Sequence, residues 1–228
     1  MCFSATGSFG VAAVLAGVGV VSVTQKKPDA HHILALTPLL FSVQQVAEGT
    51  VWRTINDPAQ STLNLVSIAV FLGFALVVYP IWSPLALFLP ERNPRRRKVL
   101  GGLLAFGVCV AIYAAVLLIQ QRPVARIANH SITYDYDKVG SALVLALYVP
   151  GYVLPTVVPF FVSTMKHAKV MGVVLIVGLV ATFVIKRQAL TSVWCFFAAV
   201  MSGVIVLSLA AEHRLEQLAA EHRRAPAR

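Results

Sequence analysis

The chain has 228 residues, 58% of them hydrophobic and only 12% charged, with a mean hydropathy of +0.78. A soluble domain carries about 25% charged residues, so this composition excludes an ordinary soluble enzyme. The net charge of +10 would suit a nucleic-acid binder. It is gathered at the ends of apolar blocks instead, which excludes nucleic acid as a partner and points to membrane lipids.

The predicted elements are about seven apolar blocks, each near the roughly 20 residues that a bilayer-spanning helix needs. In chain order they are Gly7 to Val23, Ile33 to Trp52, Leu63 to Leu87, Val99 to Ile119, Val139 to Val162, Val170 to Ile185 and Leu190 to Ala211. Each must be helical, because in lipid only internal hydrogen bonds satisfy the backbone. The expected fold is an all-α integral membrane bundle over residues 1–211, with a charged cytoplasmic tail over 212–228.

The first block has no basic residue before it and no small-residue cleavage site ahead of Lys26, so it reads as a retained span. Its Gly10, Ala13 and Gly17 suit a close helix contact. The second block contains one ionisable side chain, Glu48. Thr37, Phe41, Gln44, Gln45, Glu48 and Trp52 recur at helical spacing and share one face, opposite an aliphatic one. Charge in hydrocarbon is costly, so Glu48 is expected to face the bundle interior and to carry function. Trp52 and Trp194 fit an interfacial aromatic belt.

Tyr79, Pro80, Trp82 and Pro84 close the third block, and Pro150, Pro155 and Pro159 interrupt the fifth; both read as kinks. Between the third and fourth blocks, Leu89 to Lys98 reads as a basic loop, suited to topology control and to anionic headgroups. Gln120 to Lys138 is the longest connection and reads as a polar loop that carries His130 and the run Tyr134 to Asp137. Cys2, Cys109 and Cys195 have no paired spacing; Cys109 reads as a packing residue.

With seven spans, Lys26, Lys27, Arg92, Arg95 to Lys98, Lys166, Lys169 and the basic tail share one side. The positive-inside rule makes that side cytoplasmic and the N-terminus external. Arg122, Arg126, Lys186 and Arg187 weigh against it. Cys2, Glu48 and His130 then fall toward the external face, with Cys195 and Tyr134 as substitutes for the histidine. Thiolate, carboxylate and imidazole are the ligand types of a transition-metal site, zinc first. Removal of Met1 would place a free amine beside the Cys2 thiol.

The expected chemistry is metal-assisted hydrolysis or hydration of a small-molecule substrate. Glu48 acts as ligand or general base, and Gln44 or Gln45 orients the substrate or fixes Glu48. A transporter or receptor using Glu48 on a polar pathway, and an accessory subunit without chemistry, are the alternatives.

The opening Met1-Cys2-Phe3-Ser4-Ala5-Thr6-Gly7-Ser8-Phe9 resembles an uncharacterised family of bacterial multi-pass membrane proteins that begin MCFSATASF or close to it. The run Pro38-Leu39-Leu40-Phe41, then Gln44-Gln45, Glu48-Gly49 and Trp52, is similar to that family's next signature. Gly7 departs from it, since alanine is usual there. The resemblance implies a bacterial inner-membrane location and marks the site residues, but implies no reaction. Seven spans with an external N-terminus also invite comparison with membrane hydrolases related to alkaline ceramidase. The spaced histidines of their last span are missing here.

Overall fold

A computed structural model describes residues 4–24, 32–128, 131–135, 142–165 and 167–185. The expected seventh span, the tail, Cys2, His130, Trp194 and Cys195 lie outside the described residues. The chain is mostly helical. Among the described residues three helices are long and apolar enough to cross a membrane: Ala5–Thr24, Pro58–Phe88 and Pro94–Gln121.

Helix α1 spans Ala5–Thr24. Its buried residues are Ser8, Ala12, Leu15, Gly19 and Ser22, alternately four and three apart, which is one narrow stripe along a helix. The second predicted span is not continuous. A short helix α2, His32–Ala35, stops at a turn on Leu36, and α3 runs Thr37–Thr54 with Pro38 in its first turn. Proline fits there because its missing N–H has no helical partner anyway, while it disfavours helix in the residue before it.

Helix α3 lies antiparallel along α1. Phe9 packs on Gly49, Leu39 on Gly19, and the Ser42 hydroxyl donates to the Ala12 carbonyl at 2.8 Å. A Cβ at Gly49 would sit 2.9 Å from the Phe9 ring, so the ring would have to shift to admit one. Gly10, Ala13 and Gly17, expected to allow a close contact, lie on the other side of α1, where nothing among the described residues approaches the two glycines within 4 Å.

After a short 3-10 turn at Pro58–Gln60, capped by Asp57, α4 (Ser61–Leu72) and α5 (Tyr79–Phe88) form one continuous rod. A π-helical stretch, Gly73–Val78, joins them. Pro80 explains it: in a regular α-helix its ring would strike the carbonyl four residues back, and widening the turn removes the clash. What reads as a kink is an extra-residue bulge.

Helix α6 spans Pro94–Gln121. It begins earlier than the sequence suggests, so Arg95, Arg96, Arg97 and Lys98 belong to its first turn rather than to a loop. Asn93 caps it by accepting from the N–H groups of Arg95 and Arg96. Gly107 of α6 meets the Pro80 carbonyl so closely that a Cβ would collide with it. That carbonyl lacks a normal helical donor because residue 84 is also proline.

The fourth connection is a hairpin, not a polar loop. Strands β1 (Val124–Ala128) and β2 (Ser131–Asp135) pair antiparallel with Val124 opposite Asp135 and Ala128 opposite Ser131. An all-α description therefore needs one small sheet added. Helices α7 (Ala142–Val162) and α8 (Ala168–Ile185) complete the described chain.

Two apolar clusters mark the two ends. One gathers Phe41, Tyr79, Leu87, Leu100, Phe160 and Met171. The other gathers Val51, Ile68, Phe71 and Leu72 under Ala125 and Ile132 of the hairpin. The exposed side chains of α4, α6 and α8 are largely aliphatic, as a lipid-facing surface requires. Cys109 is on that outward surface of α6, not in the packing.

The candidate site on helix α3

Helix α3 is amphipathic in an unusual sense: its polar side is the buried one. Val43 and Val46 are about half exposed, whereas Gln44, Gln45 and Glu48 are 0%, 1% and 0% exposed. The stripe expected from the sequence is thus present, and Glu48 faces the interior. The packing divides it in two. Residues 38, 42, 45, 49 and 52 form the row that turns to α1, as the Ser42 and Gly49 contacts require. Residues 37, 41, 44, 48 and 51 form the row that turns to the α4–α5 rod.

The second row is anchored by side-chain bonds. The Trp82 indole N–H donates to the Thr37 hydroxyl at 3.0 Å, and Phe41 stacks on Tyr79 with ring centroids 4.6 Å apart. The Tyr79 hydroxyl donates to Gln44 Oε1 at 2.7 Å, while Gln44 Nε2 reaches the Phe71 carbonyl at 3.4 Å. Gln44 is thus engaged at both ends of its amide by the scaffold. The Tyr152 hydroxyl of α7 donates to the Ala75 carbonyl inside the π stretch. Side chains from α3 and α7 therefore satisfy carbonyls that the bulge disturbs.

Glu48 lies one turn beyond Gln44, toward the hairpin end. There Tyr134 of β2 stacks on Phe71, with centroids 5.2 Å apart. The sequence offers Tyr134 as a substitute for His130 from a flexible loop; the structure holds it on a strand against α4. Trp52, expected in an interfacial belt, is partly buried and packs against the cluster of Val51 and Ile68 with its indole nitrogen enclosed.

Among the described residues no group of three His, Cys, Asp or Glu side chains is placed to hold a metal. Glu48 is the one member of the expected Cys2, Glu48 and His130 set that falls within them. A carboxylate ligand there fits a metal's donor chemistry, and the remaining donors would have to come from outside the described residues.

A second polar centre escaped the sequence reading. Glu91, between α5 and α6, is 2% exposed. Its carboxylate accepts from the Asn93 N–H at 2.9 Å, the Thr164 N–H at 2.8 Å and the Thr164 hydroxyl at 3.0 Å. Arg96 Nη1 donates to the Val162 carbonyl at 2.9 Å. Burial alone would raise the Glu91 pKa, but these bonds and the Arg96 charge together hold it below its ordinary value. The only advance signal was an acidic residue inside a basic run. The pair ties the α5–α6 connection to the α7–α8 connection at one end of the bundle.

The chain matches the model of a family of unknown function, DUF6629, over residues 1–221, and belongs to that family. No curated protein and no solved structure matches it.

Proposed function

For this member of the family we propose a multi-pass protein of the bacterial inner membrane, with seven spans, its N-terminus external and its C-terminus cytoplasmic. Its working centre is Glu48. The observation that carries this reading is the complete burial of that carboxylate between two helical neighbours, beside Gln44 and Gln45. Such a group is expensive to hold in a bilayer and is retained for what it binds.

The ligand we assign to Glu48 is a transition metal, with zinc first, completed by Cys2 and His130. A metal held there supplies Lewis acidity for hydrolysis or hydration of a small molecule. Glu48 contributes the negative charge, and Gln44, fixed by Tyr79 and Phe71, stiffens the helix face that presents it. Metal analysis of purified protein tests this. Wild type should carry near one equivalent, and Cys2→Ser and Glu48→Gln should each lose most of it. Equal metal content in all three would remove the metal reading.

A second reading has its own support. The row of polar contacts from Trp82–Thr37 through Tyr79–Gln44 leads along α3 toward Glu48. A transporter that moves a cationic solute would use such a row. Solute uptake into proteoliposomes that depends on Glu48 but not on Cys2 would favour it.

A further inference from the structure

Three hydrogen-bond donors around this site are buried without an acceptor among the described residues: Gln45 Nε2, the Trp52 indole N–H and the Ser8 hydroxyl. Gln45 is 1% and Ser8 0% exposed. Buried polar groups left unmet are rare in native proteins, and each asks for an explanation. Other polar groups of this interior are met. Ser42 donates to Ala12, and Gln44 and Thr37 have partners across to α5.

Gln121 Oε1, at the end of α6, is likewise unmet among the described residues, but these three donors lie around one carboxylate. Gln45 precedes Glu48 by three residues and Trp52 follows it by four, so both are its direct neighbours on the helix surface. Ser8 is on the α1 stripe opposite, next to Phe9, which covers Gly49. The chemical types agree as well. An indole nitrogen can only donate, and so can an amide nitrogen. Whatever meets them must present acceptor atoms. An amine or a bare cation is excluded as their partner, although either suits Glu48.

We infer that Gln45 and Trp52, assisted by Ser8, form the wall of the Glu48 site that receives the acceptor oxygens of a carboxyl-class ligand, such as a carboxylate or carbonate group. This deepens the Glu48 reading and rests on it. It also divides the labour of the two glutamines: Gln44 belongs to the scaffold and Gln45 to the ligand. Donors placed before the ligand arrives need no rearrangement when charge gathers on its oxygens.

The test uses the full chain, purified in detergent and labelled with 15N-tryptophan. Of its three tryptophans, the indole resonance that vanishes in Trp52→Phe is that of Trp52. Titration with sodium acetate and with sodium bicarbonate should move that resonance downfield and saturate. Ethylammonium chloride at equal ionic strength should leave it in place. Gln45→Leu should weaken the apparent affinity about tenfold, the effect of one lost hydrogen bond of ordinary strength. Ser8→Ala, a smaller change, should weaken it less and keep the thermal transition.

An immobile Trp52 resonance in both oxyanions, an equal response to ethylammonium, or a wild-type response in Gln45→Leu would each overturn the inference and leave the donors to water. Metal content of Glu48→Gln, measured alongside, separates the two readings. Metal lost from that variant with Trp52 unmoved sinks the donor wall alone. Metal unchanged with Trp52 shifted sinks the metal alone.

Discussion

Glu48 and Glu91 are both buried carboxylates, yet their surroundings give them opposite meanings. Glu91 is met by two backbone N–H groups and a hydroxyl. It behaves as a strut: its folded-state pKa lies below the ordinary 4.5, so its stabilising effect is full above that value. The effect is lost as pH falls through the lower, folded value. Glu91→Gln should therefore lower the thermal midpoint near neutral pH, and the gap to wild type should close as pH falls through the lowered, folded-state value. A gap that is constant with pH would mean that packing, not charge, holds the two connections together. Glu48→Gln preserves volume and should change the midpoint little while removing the function assigned to the site. Midpoint and metal content of the same sample check both halves. Unchanged function would make Glu48 a packing residue. The sequence discloses Glu48 because a lone charge in an apolar run stands out. It hides Glu91 because one acid among five basic residues looks like surface.

At the scale of elements, the apolar blocks were legible and their details were not. Helices α1, α6 and α8 are found within a few residues of the sequence reading, since long apolar runs have one stable form in lipid. The hairpin was missed because two five-residue strands give too short an alternation to stand against a polar, charged composition. The division of α3 into two rows was also hidden, because rows one residue apart merge into one stripe until the neighbours are known. The π stretch was half visible: Pro80 signals a disturbance, but its form depends on Gln44 and Tyr152 being there to meet the carbonyls. Two substitutions probe this junction. Tyr152→Phe should cost about 0.5–1.5 kcal/mol, the worth of one hydrogen bond to the Ala75 carbonyl. Gly107→Ala forces a Cβ into the Pro80 carbonyl and should cost about 1–3 kcal/mol, the usual penalty of overpacking. Unfolding in detergent measures both, and a neutral Gly107→Ala would show that α5 and α6 can separate freely.

For the molecule as a whole, the contacts give the topology an internal check. The Glu91–Thr164 bond places the third and fifth connections at one end, and the Trp82–Thr37 bond brings the start of α3 to the same end. These are the connections that the charge pattern assigns to one side. Arg92 and Arg95 to Lys98 crowd that end, and α3–α4 and the hairpin occupy the other. A reporter fused to the C-terminus should be active in the cytoplasm. Activity in the periplasm would invert the bundle and move Glu48 toward the inner surface. Helix α3 also bears on how the protein is made. Eleven of its 18 residues are buried, and it is not among the helices apolar enough to cross a membrane by themselves. An insertion machine that tests segments one at a time would find Gln44, Gln45, Glu48 and Arg53 too polar to release into lipid. Helix α1 is the segment already waiting, and its glycine and serine stripe is what α3 docks on. Biogenesis would then proceed by pairs: α3 should fail to insert alone in a translocation assay and succeed when α1 precedes it.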